Sequence, residues 1–176
     1  MPYGLEDFHA DLNATLKAKG LDGLPFLAGR LQQLLRNPEF VAATFSDDMP
    51  KSKRLLFHDA ETDAYVFAHV HAPGGRGKPH SHGASWAIYG NARGFTVMTE
   101  WRRVNPPSED HAVIEGGAHY RLGPGEARAY GPELIHSTEH PEKAWVIRVT
   151  GADLSTLPRY HFDPAKDRIV EPAAPQ

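Results

Sequence analysis

Apolar positions along the chain follow two different periods, and the change falls near residue 50. "LEDFHADLNATLKAKG" carries Leu5, Phe8, Leu12 and Leu16 at helical spacing, with Gly20 as a stop. "LPFLAGRLQQLL" repeats the pattern with Phe26, Leu27, Leu31, Leu34 and Leu35 around Arg30. "NPEFVAATF" opens a short third helix, with Asn37 as N-cap and Pro38 in its first position. From Lys53 the pattern becomes short β-branched and aromatic runs: "RLLFHD", "AYVFAHVHA", "SWAIYG", "GFTVMTEWRRV", "HAVIEGGAHYRL", "EARAY" and "KAWVIRVT". Turns rich in Gly, Pro, Asn and Asp separate them. Many strands in succession with no helical pattern between them predict an all-β barrel or sandwich under an N-terminal helical segment. We expect one domain over residues 1–176, with a helical cap at 1–46, a β-barrel at 53–160 and a surface tail at 164–176.

Composition narrows the class. The 176 residues are 40% hydrophobic and 23% charged, as in globular proteins, and the formal net charge is -3. That charge predicts no nucleic-acid partner and no attraction to an anionic membrane. No apolar run approaches the roughly 20 residues of a membrane span. The acidic, helical start "MPYGLEDFHADL" is unlike a signal peptide, so a cytoplasmic location is expected. The chain has no cysteine and 11 histidines. Any bound metal must therefore be held by nitrogen and oxygen, and imidazole suits iron, nickel, copper and zinc.

The stretch "GKPHSHGASWAIYG" sets His80 and His82 two apart in an extended segment, so both imidazoles face the same side. That is a metal-ligand arrangement; the alternative is a pair of solvated turn residues. A second stretch, "YRLGPGEARAYGPELIHS", runs through two Gly-Pro turns into a strand bearing His136. A further H-x-H, His69 and His71, shares one strand face with Tyr65 and Phe67 but lacks the Gly-Pro approach. The other histidines (His9, His58, His111, His119, His140 and His161) are given structural roles. Trp86, Tyr89, Phe95 and Trp101 read as packing residues, with Trp86 close enough to the H-x-H to form a pocket wall.

H-x-H near one strand start, then a P-G-E turn, a G-P turn and one more histidine, resembles the two motifs of the cupins over roughly Arg54 to Arg159. The resemblance implies a double-stranded β-helix (jelly-roll) barrel with His80, His82 and His136 as metal ligands. Many cupins add a glutamate four or five residues after the second histidine; Trp86 and Ala87 stand there. A three-histidine set is similar to the cysteine dioxygenase-like group, which implies Fe(II), with Zn, Ni or Mn as other divalent candidates. It also implies O2 and a small anionic thiol carboxylate as substrates. Arg54 and Arg159 fall where that group carries carboxylate-binding arginines, and a guanidinium matches a carboxylate with two parallel hydrogen bonds. Arg148, mid-strand in "WVIRV", is a further anion partner if it faces the interior.

The pattern also departs from that group. Its Ser-His-Tyr relay corresponds here to Val146, Arg148 and Thr150, and its crosslinking cysteine to Ala87. His69 and His71 are the expected replacements, as hydrogen-bond donors or proton carriers in the pocket. Two other readings fit the same residues. One is a metal-dependent lyase or isomerase, with His69, His71 or Glu133 as base. The other is a ligand-binding cupin without turnover, and either a monomer or a homodimer is compatible with the sequence.

Overall fold

The computed structural model describes residues 2–109, 111–157, 160–166 and 168–170. The amphipathic N-terminal patterns become three helices: α1 (Leu5–Lys19), α2 (Leu24–Leu35) and α3 (Pro38–Thr44). A single 3-10 turn at Gly20–Gly23 joins the first two, with Gly20 at φ 53 where the helix stops. The Asn37 side chain accepts from the Glu39 N–H at 2.9 Å and from the Phe40 N–H, capping α3 as its sequence requires.

Among the described residues twelve strands follow. The first six are β1 (Ser52–Asp59), β2 (Ala64–His71), β3 (Gly75–Arg76), β4 (His80–Ser81), β5 (Ala87–Arg93) and β6 (Thr96–Arg103). The rest are β7 (Ile114–Leu122), β8 (Ala127–Tyr130), β9 (Ile135–His140), β10 (Ala144–Thr150), β11 (Tyr160–Asp163) and β12 (Arg168–Val170). They form a five-stranded sheet in the order β1-β2-β10-β5-β8 and a seven-stranded sheet in the order β12-β11-β4-β9-β6-β7, with β3 paired to β9. Residues 168–170, expected in a surface tail, pair with β11.

The expectation of an all-β closed barrel is corrected on two counts. Among the described residues neither sheet closes: β1 and β8 are edges of one sheet, β7 and β12 edges of the other. Nor is the helical segment an accessory to a β domain. Strand alternation divides the inner and outer faces of the five-stranded sheet. Ala64, Val66, Ala68 and Val70 of β2, Ile88 of β5, and Ile147 and Val149 of β10 join Phe8, Leu12, Leu27, Leu31 and Leu34 of the helices in the largest apolar cluster. A helix with one apolar face needs a second apolar layer to cover it, and the outer face of this sheet supplies it. The fold is thus mixed α/β, with layers of helices, sheet and sheet.

Gly90 makes the helix–sheet contact possible. A Cβ there would lie 2.5 Å from Leu35 Cδ1 and 3.0 Å from Leu31 Cδ2, so only glycine lets α2 approach this closely. The opposite residues of the same strands face the second sheet, where Ala87, Tyr89, Met98, Leu122, Tyr130, Ala144 and Val146 form a smaller core. The candidate site lies within this inter-sheet layer.

Candidate metal centre

His80 occupies β4, a strand of only two residues, and lies opposite His136 of β9 in antiparallel register. Hydrogen bonds at both flanks fix this short segment. Gly77 N–H donates to Thr138 O at 2.8 Å, Phe162 N–H to Pro79 O at 2.8 Å, and Glu133 N–H to Gly83 O at 2.9 Å. The Gly-Pro punctuation of both motifs thus carries the two turns into contact. His82, two residues beyond His80, turns to the same side.

The three imidazoles converge. Ring centroids are 5.2 Å apart for His80 and His82, 4.6 Å for His80 and His136, and 4.9 Å for His82 and His136. One nitrogen from each lies within 4.8 Å of the others, and all three residues are buried. Two tautomers are fixed by the backbone. His80 Nδ1 faces Lys78 O at 2.9 Å and His136 Nδ1 faces Leu134 O at 3.3 Å. A carbonyl only accepts, so Nδ1 carries the proton in both and Nε2 keeps its lone pair. Orienting a ligand imidazole through its other nitrogen is what a metal-binding histidine requires. The donor set is three neutral nitrogens, and it fits a divalent transition metal.

Two tyrosines border the cluster. The Tyr89 hydroxyl lies 3.4 Å from His82 Nε2, and the Tyr130 ring stacks on His136 with centroids 5.5 Å apart. Tyr130 is buried and its hydroxyl lies 2.8 Å from that of Tyr120, which donates to Glu100 at 2.8 Å. The glutamate can only accept, so Tyr130 is the donor to Tyr120. Burial raises the Tyr130 pKa, and the phenol stays protonated.

A cavity of about 180 Å³ adjoins the cluster at His80. The five-stranded sheet contributes His69, His71, Tyr89, Val146 and Arg148 to its wall, and β6 and β9 contribute Thr96, Thr138 and His140. Register explains the grouping. Arg148 lies between Phe67 and Tyr89, and Val146 between His69 and Asn91, as neighbouring cross-strand rows on one face. His71 and His140 stack at 3.8 Å with an interplanar angle of 7°, and His69 lies 5.6 Å from His71.

All three of these histidines are neutral at pH 7. Burial, then the Arg148 charge, brings His69 down to about 2. Burial and the neighbouring His140 bring His71 to about 3, and burial brings His140 to about 4. Such weak bases hold or donate hydrogen bonds better than they carry protons.

Arg148 is the cation on the cavity wall. Its buried Nε has no hydrogen-bond partner among the described residues, and its guanidinium carbon lies 5.7 Å from the Phe67 ring centroid. No acidic residue is among the described residues of that wall.

The remaining expected site residues lie elsewhere. Arg54 pairs with Ala68, whose side chain belongs to the helix-facing layer, and Arg54 Nη2 donates to Thr44 O at 2.8 Å. Trp86 packs in the helix–sheet core against Gly151, where a Cβ would lie 2.2 Å from the indole nitrogen. Glu133 is exposed in its turn at φ 61. Arg159 lies outside the described residues. Conversely, His140 and Tyr89 line the cavity although the sequence reading gives them only structural roles. His140 stands four residues after His136 on β9, a spacing that puts both on one strand face and could have identified it.

No protein-family model matches the chain, and no curated protein matches it. Among solved structures it is similar to a cupin superfamily protein from Desulfitobacterium hafniense, at 11% identity and TM-score 0.45, covering 64% of this chain and 87% of the other. It is similar to KdgF from Halomonas sp. at 20% identity and TM-score 0.44, covering 60% and 83%. A conserved protein with a double-stranded β-helix domain from Klebsiella pneumoniae gives 14% identity and TM-score 0.45, covering 69% and 88%. At these values the likenesses carry nothing about chemistry. The chain's own strands and histidines make a cupin-like arrangement: two facing antiparallel sheets, open at their edges, around a buried three-histidine cluster.

Proposed function

We propose that this chain is a metal-dependent dioxygenase that oxidises a small thiol carboxylate to the sulfinate with O2. The observation that carries the reading is a neutral three-histidine donor set adjoined, at His80, by a cavity that has Arg148 on its wall. A divalent iron held by His80, His82 and His136 would supply the centre at which substrate and O2 meet and exchange electrons. Three neutral ligands leave the full dipositive charge of such an ion to attract an anionic donor, as a thiolate is. The overall change, RS⁻ + O2 → RSO2⁻, balances without an external reductant.

The chain's own residues then bind and orient. Arg148 receives the carboxylate, which supplies the acceptor its Nε–H lacks among the described residues. His69, buried, and His71, half-buried, are neutral and give hydrogen bonds without competing for the acid's charge. Tyr89 presents a hydroxyl beside His82. Cavity size sets the scale: about 150 Å³ accommodates benzene, so about 180 Å³ takes roughly six to eight non-hydrogen atoms. With Arg148 on the wall and no described carboxylate there, an ammonium group on the substrate meets repulsion without compensation. An amino-free acid such as 3-mercaptopropionate therefore fits better than cysteine.

The lyase reading needs a general base poised near neutral pH, and burial has pushed the cavity histidines far below it. The test is oxygen consumption by the Fe(II)-loaded protein with 3-mercaptopropionate, cysteine and a β-dicarbonyl, beside a Zn(II)-loaded control and His136→Ala. Uptake with 3-mercaptopropionate that both controls abolish is expected, with cysteine at least tenfold poorer. An iron-replete protein that consumes no oxygen with any of them overturns the proposal.

A further inference from the structure

A row of side chains leads from the histidine cluster to the surface, and the proposed chemistry uses none of them. The Tyr130 ring stacks on His136 with centroids 5.5 Å apart and an interplanar angle of 25°. Its hydroxyl lies 2.8 Å from that of Tyr120, which lies 2.8 Å from Glu100 Oε1. Exposed Arg128 ends the row, with Nη2 3.4 Å from Glu100 Oε1 and its guanidinium carbon 4.3 Å from the Tyr120 ring centroid. Topology sets the direction. Tyr130 belongs to β8 and Tyr120 to β7, which among the described residues are edges of the two sheets, so the row crosses between the sheets along their open side.

The hydrogen bonds of this row all point one way. Tyr130 donates to Tyr120 and Tyr120 donates to the carboxylate, so a proton can move outward along both bonds in turn. A phenol that loses an electron becomes a strong acid, and a bare positive charge is costly in a buried site. A buried tyrosine is therefore readily oxidised only where its proton has an acceptor. Burial raises the Tyr130 pKa and brings Tyr120 up to about 12, so neither phenol ionises beforehand at neutral pH and the electron and proton leave together. Tyr89 has a different setting: its hydroxyl faces His82 Nε2 at 3.4 Å.

We propose that Tyr130, Tyr120 and Glu100 form an exit for oxidising equivalents, used when a hydroperoxide oxidises the iron centre and no thiol is bound to receive them. Tyr130 gives one electron to the oxidised iron and its O–H bond breaks. The Tyr130 proton passes to Tyr120, and Tyr120 passes its own proton to Glu100. The products are a neutral Tyr130 phenoxyl radical, an intact Tyr120, a protonated Glu100 and iron one charge lower, so electrons, protons and charge balance. The exit rests on the reading of His80, His82 and His136 as an iron site and is independent of which thiol is the substrate.

Freeze-quench electron paramagnetic resonance of the Fe(II)-loaded protein, mixed with hydrogen peroxide in the absence of thiol, tests the exit. A tyrosyl radical should form, change its hyperfine pattern when the protein carries ring-deuterated tyrosine, and be absent from iron-free protein given the same peroxide. Tyr130→Phe keeps the ring that packs on His136 and should remove the signal. Glu100→Gln still accepts the Tyr120 hydrogen bond but takes no proton, and should slow radical formation about 100-fold, as loss of a positioned proton acceptor does. In air without thiol, the iron-loaded Tyr130→Phe variant should lose its capacity to rebind Zn(II) several-fold faster than the parent. A parent protein that forms no tyrosyl radical, a signal undiminished in Tyr130→Phe, or an unchanged rate in Glu100→Gln overturns the exit. Oxygen uptake with 3-mercaptopropionate but no radical removes the exit alone, whereas a radical without thiol-dependent uptake removes the dioxygenase reading and leaves the exit.

Discussion

Replacing Arg148 by methionine should make the protein more stable and less able to bind an acid. The guanidinium sits mid-strand on β10 between Phe67 and Tyr89, and its buried Nε has no partner among the described residues. Exchanging a buried ionic group for an apolar one of similar length is neutral or stabilising by about 1–4 kcal/mol. Arg148 is partly exposed, and solvent screening reduces that to about 1 kcal/mol. For a chain of this size the gain corresponds to a rise of about 2–4 °C in Tm. Binding moves the other way. A hydrogen bond to a charged group contributes about 1.5–3 kcal/mol, so the Kd for 3-mercaptopropionate should rise about 10- to 150-fold. Thermal unfolding by circular dichroism and anaerobic titration of the Zn(II)-loaded protein read the two effects separately. A variant that melts several degrees lower and binds the acid unchanged would falsify the reasoning, because Arg148 would then be a structural strut.

Three further outcomes follow from the geometry. Saturating Zn(II) or Fe(II) at about 100 times Kd should stabilise the native state by about 2.7 kcal/mol, seen as a Tm rise of about 5–10 °C, and His136→Ala should abolish most of it. His140 has its pKa lowered to about 4 by burial, so the unfolded chain takes up its proton first and stability falls as pH drops below about 6.5. His140→Leu should therefore shrink the loss in unfolding free energy between pH 6.5 and pH 5 by about 2 kcal/mol, and an unchanged pH profile in urea denaturation would remove His140 as its source. Gly90→Ala should destabilise by about 1–3 kcal/mol through overpacking of α2 on the sheet, and a neutral effect in chemical denaturation would show that α2 has room to shift.

Local pattern determined much of this protein. Helical spacing of Leu5, Phe8 and Leu12, and of Leu27, Leu31 and Leu34, identifies α1 and α2, because a 3.6-residue period is written into any amphipathic helix. The Asn37–Pro38 start of α3 is equally legible. The period of two along β2 places Phe67, His69 and His71 on one face, and the H-x-H of His80 and His82 places both rings on one side. The third member of the cluster, His136, is marked only by the resemblance of its Gly-Pro turn and strand to the second cupin motif.

Tertiary structure alone decided which faces meet. Strand periodicity does not state whether sheets close, and here the helices cover the outer face of one sheet while both keep their edges. Nor does sequence order assign partners across strands. Arg54 and Arg148 read alike as arginines in strands, but register turns the first toward Thr44 and the helices and the second into the cavity. His140 and Asn91 acquire their neighbours through pairings with residues far away in the chain. A short-range pattern fixes a side chain's face, whereas burial and partners come from long-range pairing. The three histidines that resemble a metal site were therefore visible in the sequence, while the cavity beside them depended on how the two sheets came together.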